Sequence, residues 1–294
     1  MDSRQERTMF PNFSPGPLGI NVPFTEAIQL ALRFGYGGLD VSIVELQQIA
    51  DNRGVESISD QMAAAGLKFG IWSMPFSYRA EEENWRQGLA ELPAKAALAQ
   101  SLGADRTSTF IAPADDDLPW EENYEFHLAR LRPIAQILAD HGIRFGLEWV
   151  GPKTLRDEKK YEFIHTMAGA QQLGTDLGIS NVGLLVDIFH LFTSHTDVAE
   201  VRTLSNAQVV NVHVNDAVAG RTADEQIDFE RTLPVETGLT DIAGFLQALD
   251  AIGYDGPVTV EPFNQRIRDL APADAARETA ESLKKSWQLA GLNR

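Results

Sequence analysis

The chain has 294 residues, a formal net charge of −17 and no cysteine. So acidic a surface repels phosphate groups, which argues against binding to nucleic acid or to anionic membranes. The absence of cysteine excludes disulfides, thiolate metal sites and cysteine nucleophiles. A composition with 44% hydrophobic and 23% charged residues is typical of a globular protein and excludes a disordered one.

The N-terminal residues lack the apolar core that a signal peptide needs. The most apolar stretch, residues 182–192, is interrupted by Asp187 and His190 and is too short to span a bilayer. These features predict a soluble, cytoplasmic protein.

Short apolar segments alternate with longer amphipathic ones along the whole chain. The segments predicted as strands are residues 18–22, 38–41, 69–73, 106–111, 143–149, 182–187, 209–214 and 257–261. The helical patterns between them include residues 24–34, 85–102, 121–141, 161–177, 241–252 and 273–289. Gly103, Gly142 and Gly253 follow three of these helices, as is typical of a left-handed helix cap that leads into a strand.

Repeated strand–helix units predict a parallel sheet with right-handed crossovers. Eight such units in one domain over residues 1–294, with 1–14 as an N-terminal extension, indicate an α/β protein built as a single (β/α)8 TIM barrel. A doubly wound sheet is the alternative. It is less favoured because no G-x-G-x-x-G motif follows the first predicted strand.

The last four predicted strands end in a carboxylate or an imidazole: Glu148, Asp187, His213 and Glu261. In a barrel the carboxyl ends of the strands form the functional face, so these side chains can converge. Three carboxylates in one partly dry pocket repel one another unless a cation is present. Together with one imidazole they form a hard ligand set, which suits one divalent metal ion, Mn²⁺ in the first place, with Mg²⁺ or Co²⁺ as alternatives.

Each of these residues has a simpler interpretation when it is taken alone. An acidic residue after a strand is often the N-cap of the next helix, and a lone histidine at a strand end is often a satisfied polar residue. The occurrence of all four on four consecutive strands favours the metal site.

At these positions the sequence resembles the xylose isomerase-like TIM barrels, which include sugar isomerases, ketose 3-epimerases and inosose dehydratases. The matching segments are GLEW at 146–149, VDIFH at 186–190, VHVND at 212–216 and GYDGPVTVEPF at 253–263. The resemblance implies that Glu148, Asp187, His213 and Glu261 bind one divalent metal. It also implies that Glu148 and Glu261 exchange a proton with the substrate and that His190 holds a substrate oxygen.

Several further residues are candidates for contact with the substrate. Arg221 follows the predicted ligand His213, and the epimerases have an arginine near that point. Epimerases also have a second glutamate six residues after the first, where this chain has Thr154. Lys153 in the same segment could meet an anionic substrate, and Trp72 could form an apolar wall for a sugar ring. The roles of Arg231 and Glu236 stay open.

The resulting hypothesis is a metal-dependent isomerase or epimerase acting on a sugar or sugar-derived keto compound by proton transfer next to a carbonyl. A lyase of the same family is the alternative, because the same proton removal can lead to elimination. A metal-free binding protein is the non-enzyme alternative. A nuclease related to endonuclease IV is rejected, because six histidines and an acidic surface do not suit its three zinc ions and DNA. The expected partner is a small sugar-like molecule, and a homo-oligomer is compatible with the sequence.

Overall fold

The structure, a computed structural model, describes residues 8–292 and contains a closed barrel of eight parallel strands. Each strand pairs with the next one along the chain, and the last pairs with the first. The strands are β1 (Phe10–Phe13), β2 (Gly38–Ser42), β3 (Lys68–Ser73), β4 (Arg106–Ile111), β5 (Arg144–Trp149), β6 (Val182–Asp187), β7 (Val209–Val214) and β8 (Pro257–Val260). The predicted (β/α)8 barrel is therefore confirmed.

Helices surround the barrel and connect its strands. They are α1 (Phe24–Arg33), α2 (Ile43–Arg53), α3 (Glu56–Ala65), α4 (Glu82–Leu102), α5 (Trp120–Asp140), α6 (Lys153–Asp157), α7 (Met167–Leu177), α8 (Ile188–Thr193), α9 (Ile242–Ala251), α10 (Gln265–Arg268) and α11 (Pro272–Leu289). Gly103, Gly142 and Gly253 have φ values of 72°, 69° and 66°, so the three predicted left-handed caps are confirmed.

The prediction for the first strand was wrong. The sequence pattern placed it at residues 18–22, whereas β1 lies at Phe10–Phe13, inside the stretch 1–14 that was assigned to an extension. The segment FPNF is short and contains a proline, which hides its strand character. Its Asn12 faces β8 and donates a hydrogen bond from Nδ2 to Thr259 Oγ1 at 3.0 Å. Residues 1–7 of the predicted extension lie outside the described residues.

The helix predicted from residue 161 begins later. Tyr161–Glu162 instead pairs antiparallel with Ala114–Asp115 in a two-stranded sheet. The helix α7 begins after Thr166, whose side chain accepts a hydrogen bond from Gly169 N.

An irregularity in the register of β6 and β7 sets the height of two predicted ligands. Leu184 pairs with Val209, but Leu185 pairs with Asn211, so β7 carries one extra residue at this point. The shift places Asp187 directly opposite His213 at the carboxyl end of the barrel.

None of the helices in residues 8–292 combines the length and the apolar character needed to cross a membrane.

We predict that Gly183→Ala destabilises the barrel where β6 approaches β7. A Cβ at Gly183 would lie 2.6 Å from the backbone oxygen of Gln208, and a backbone atom cannot rotate away. Such overpacking costs about 1–3 kcal/mol. Chemical denaturation should therefore show a lower free energy of unfolding for this variant.

Gly16→Ala is the matched control, because a Cβ there meets nothing within 4 Å. Its free energy of unfolding should stay within about 0.5 kcal/mol of the wild type. Equal stability of Gly183→Ala and the wild type would show that β6 and β7 are not held this closely.

Candidate active site

Side chains from the carboxyl ends of β5 to β8 converge on one point. Glu148, Asp187, His213 and Glu261 each offer one ligand atom, and these four atoms lie within 4.8 Å of one another. His213 Nδ1 lies 3.2 Å from Glu261 Oε2, 3.8 Å from Glu148 Oε1 and 4.0 Å from Asp187 Oδ2. The structure thus brings together the four residues that the strand ends suggested.

Two atoms of this cluster are buried without a hydrogen-bond partner among the described residues: Glu148 Oε1 and His213 Nδ1. A buried polar atom without a partner costs free energy, so such atoms are expected to face a ligand. A carboxylate oxygen and an imidazole nitrogen that face the same point are suitable donors for a divalent metal ion. The donor set of this chain therefore fits a bound metal.

A buried arginine compensates part of the negative charge. Arg231 Nη1 donates to Asp187 Oδ2 at 2.7 Å and to Glu261 Oε2 at 3.2 Å, and its Nη2 donates to Asp228 Oδ1 at 2.7 Å. Burial disfavours the charged guanidinium, but these three carboxylates outweigh that effect and raise the pKa of Arg231 above its usual range.

The guanidinium of Arg231 also lies close to two aromatic rings. Its central carbon lies 4.5 Å from the ring centre of Phe189 and 4.7 Å from that of Phe263. Cation–π contacts of this kind become stronger when water is excluded. The backbone oxygen of Asp228 accepts from Arg231 Nε at 2.8 Å, which further fixes the side chain.

The members of the cluster differ in the direction in which their pKa values are shifted. Burial, followed by the charge of Glu261, raises the pKa of Glu148 well above its ordinary value. Burial acts in the same direction on Asp187, but Arg231 and the two nearby histidines outweigh it and lower the pKa of Asp187 to about 2. Burial disfavours the charged form of His213, yet Glu261, Glu148 and Asp187 raise its pKa to about 10. The site thus contains carboxyl groups with very different proton affinities.

His190 lies beside the cluster rather than in it. Its Nδ1 accepts a hydrogen bond from Gly151 N at 3.2 Å, and burial lowers its pKa. Its Nε2 lies 3.4 Å from Arg231 Nη2, which can also only donate, so each ring nitrogen of His190 faces a hydrogen-bond donor. That Nε2 is 3.7 Å from Glu148 Oε1 and 3.9 Å from Asp228 Oδ1, so it is directed toward the same space.

A cavity of about 410 Å³ opens onto this group of side chains. Its walls combine ionisable groups with apolar side chains, and Phe110 and Phe229 at the wall are 56% and 65% exposed. The lining residues are Phe110, Ala112, Pro113, Ala114, Glu148, Val150, Leu155, Lys159, His190, Asp228, Phe229, Arg231, Glu261 and Phe263.

Three residues predicted to contact the substrate do not line this cavity. Trp72 is fully buried in the hydrophobic core, where its large ring stabilises the barrel by packing. Its Nε1 donates a hydrogen bond to Ala104 O at 3.0 Å, so the buried N–H has a partner. Arg221 forms a surface ion pair with Glu230 at 2.6 Å. Lys153 pairs with Asp157 one turn along α6.

Two further residues form hydrogen bonds with the backbone of the loop that follows β7. Glu236 accepts from Leu233 N within its own loop, and Thr154 donates to Gln226 O at 2.9 Å. Glu236 therefore neither lines the cavity nor caps α9, which Asp241 caps.

The sequence interpretation left the role of Arg231 open and did not consider Asp228. Both come from the long segment between β7 and α9, whose length was the available signal, since long loops in compact domains are often functional. The pairing of Arg231 with Asp187 depends on how that loop folds back over the barrel, and residue spacing does not reveal it.

The chain and its fold have clear counterparts among known proteins. The family model for the xylose isomerase-like TIM barrel matches residues 28–286. An inosose isomerase of Bacillus velezensis is 20% identical over 272 residues, covering 90% of this chain and 92% of the relative. An L-ribulose 3-epimerase of Mesorhizobium japonicum is 22% identical over 241 residues, covering 81% and 72%. A 3-dehydroshikimate dehydratase of Pseudomonas aeruginosa is 30% identical over 149 residues, covering 49% and 22%.

Solved structures agree on the fold. A xylose isomerase domain protein from Alicyclobacillus acidocaldarius superposes with a TM-score of 0.85 at 29% identity, covering 96% of this chain and 99% of the other. The IOLI protein, solved with a bound zinc atom, superposes with a TM-score of 0.76 at 18% identity, covering 96% and 98%.

We predict that Asp187→Asn and His213→Ala lose metal affinity, whereas His190→Ala keeps it. Each of the first two substitutions removes a ligand atom from the cluster. His190 lines the cavity but does not belong to the cluster. Titration of the metal-free variants with Mn²⁺ in a calorimeter measures the difference. Equal loss of affinity in all three variants would place His190 among the ligands and contradict this assignment.

We also predict that Arg231→Met strongly destabilises the metal-free protein. The substitution leaves Asp187, Asp228 and Glu261 without their buried cation, and breaking a buried pair costs about 3–5 kcal/mol. Thermal unfolding should show a large drop in melting temperature. Mn²⁺ should restore part of the loss, because a ligand at a hundred times its Kd stabilises by about 2.7 kcal/mol.

Arg221→Met is the control for that experiment, since it removes an exposed pair of the kind that contributes about 1 kcal/mol or less. A similar drop in both variants would show that charge loss in general, rather than the buried cluster, sets the stability.

Proposed function

We propose that this chain, which belongs to the xylose isomerase-like TIM barrel family, is a metal-dependent isomerase or epimerase of a sugar or sugar-derived keto compound. The observation that carries the proposal is the convergence of four ligand atoms, two of them buried without a partner among the described residues, beside a cavity that Glu148 and Glu261 line. The curated relatives named above as isomerase and epimerase support the reaction class.

Glu148, Asp187, His213 and Glu261 are the residues that would hold the metal. When bound, a divalent cation supplies Lewis-acid polarisation of a carbonyl and a neighbouring hydroxyl. Mn²⁺ is the preferred ion for three carboxylates and one imidazole, with Mg²⁺ and Co²⁺ as alternatives. The zinc atom in the structure of the IOLI protein supports a divalent ion in this fold without deciding which one serves here.

Two carboxylates are placed to move the proton. Glu148 is the second-last residue of β5 and Glu261 follows β8, so the two carboxylates come from different strands. One of them removes a proton from the carbon next to the substrate carbonyl, and the electron pair moves to the carbonyl oxygen to give an enediolate. Return of a proton to the opposite face of the same carbon gives the epimer. Return at the former carbonyl carbon gives the isomer when the hydroxyl proton of the first carbon passes to the other oxygen.

The remaining polar groups of the cavity orient the substrate. His190 lines the cavity, and its Nε2, which faces Glu148 and Asp228, can contact a polar group of the substrate. Asp228 can accept from a substrate hydroxyl through Oδ2, to which the described residues donate no hydrogen bond. The apolar wall, which includes Leu155 and Phe263, keeps water from the reacting carbon.

A lyase is the second candidate, and one observation favours it. The 3-dehydroshikimate dehydratase has the highest identity among the relatives named above, although the match spans half of this chain. The first step is the same, because a proton leaves the carbon next to a carbonyl. Elimination differs in that the electron pair expels the hydroxyl of the next carbon, which leaves as water with the proton that the carboxylate removed.

We predict that turnover in D₂O places deuterium on the carbon next to the carbonyl. The carboxylate that takes the substrate proton exchanges it with solvent before returning one, so the product should carry at least partial label. Turnover of ketoses, inososes and 3-keto-glycosides in D₂O, followed by mass spectrometry, detects the label. The same screen separates an isomer of unchanged mass from a dehydrated product.

Glu148→Gln and Glu261→Gln keep the shape of the side chain and remove its basicity. Each should reduce turnover by a factor on the order of a hundred or more, as expected for lost general-base catalysis. Glu236→Gln is the matched control, because that glutamate lies in the loop and off the cavity. Wild-type turnover in both site variants, with metal bound, would show that neither carboxylate moves a proton.

A further inference from the structure

Asn211 lies directly beneath the predicted metal ligand His213. Both belong to β7, two residues apart, so their side chains point to the same face of the strand. Asn211 is fully buried, and its Nδ2 lies 3.1 Å from His213 Nε2. Its other amide atom, Oδ1, is buried without a hydrogen-bond partner among the described residues.

The position of the proton on His213 follows from which nitrogen meets the metal. Nδ1 faces the carboxylates, whereas Nε2 faces Asn211. A neutral imidazole carries one proton, and a nitrogen that binds a metal must present its lone pair. When Nδ1 is the ligand, the proton therefore lies on Nε2.

An Nε2–H group needs an acceptor, and an amide NH₂ group cannot provide one. A half-turn about the Cβ–Cγ bond of Asn211 exchanges its oxygen and nitrogen without moving the rest of the chain. It places Oδ1 against Nε2–H and gives the unpartnered oxygen its hydrogen bond.

We propose that Asn211 is a positioning residue that accepts the Nε2–H of His213 through Oδ1 and so fixes the tautomer whose Nδ1 lone pair faces the metal. The inference rests on the proposed metal site and deepens it. Partners of this kind raise the basicity of a histidine ligand and set the orientation of its ring, and losing one typically reduces metal affinity 10- to 100-fold.

The experiment compares Mn²⁺ affinity by calorimetry in three variants of the full chain. Asn211→Leu has a similar size but no acceptor, and its Kd for Mn²⁺ should rise about 10- to 100-fold. Asn211→Asp restores an acceptor and should recover the affinity. Asn12→Leu is the control, because Asn12 is also a buried asparagine with an unpartnered Oδ1 but bonds to Asp40 and Thr259 rather than to His213.

Histidine ¹⁵N spectra of the Zn²⁺-loaded wild type give a readout that does not depend on any variant of Asn211. The ring of His213, assigned by comparison with His213→Gln, should show a proton on Nε2 and a metal-bound Nδ1. A proton on Nδ1 would overturn the inference, as would wild-type Mn²⁺ affinity in Asn211→Leu or an equal loss in Asn12→Leu. If the wild type itself binds no divalent metal, the proposed function fails instead.

Discussion

Repulsion among carboxylates is the constraint on which the candidate site depends. Glu148, Asp187, Asp228 and Glu261 lie close together at a largely buried end of the barrel, and burial strengthens their mutual repulsion. One guanidinium cannot balance four carboxylates. Burial and the charge of Glu261 raise the pKa of Glu148, and the three carboxylates raise that of His213 despite its burial, so both groups respond to the same excess of negative charge. A divalent cation removes it directly.

The barrel provides the geometry that this electrostatic arrangement needs. Four adjacent parallel strands bring their carboxyl ends to one height, and the register shift between β6 and β7 aligns Asp187 with His213. The loop after β7 then adds Arg231, which contacts the rings of Phe189 and Phe263. Because backbone elements hold the four candidate ligands in place, the site is preorganised for the proposed metal.

Much of this arrangement could be predicted from the sequence, for reasons that differ between residues. The strand–helix alternation indicated the barrel, and an apolar run ending in a polar residue marked all four predicted ligands. The first strand was missed because FPNF has no clear apolar alternation. Trp72 was misplaced because a residue at a strand end can face either the core or the cavity, and the sequence pattern does not distinguish the two.

The loop residues were the hardest to predict. Arg221 and Arg231 lie in the same segment and have the same chemistry, yet Arg221 pairs with Glu230 on the surface while Arg231 is buried among carboxylates. Only the tertiary path of the loop separates them. Asp228 was missed for the same reason, since no motif marks a single aspartate in a long connection.

The most direct test of the central claim is anomalous X-ray diffraction from crystals grown with Mn²⁺. We expect a single strong peak bonded by Glu148, Asp187, His213 and Glu261 together. A peak bonded by other residues, or no peak in crystals with saturating Mn²⁺, would contradict the account, because the four strand ends would then converge without serving a metal.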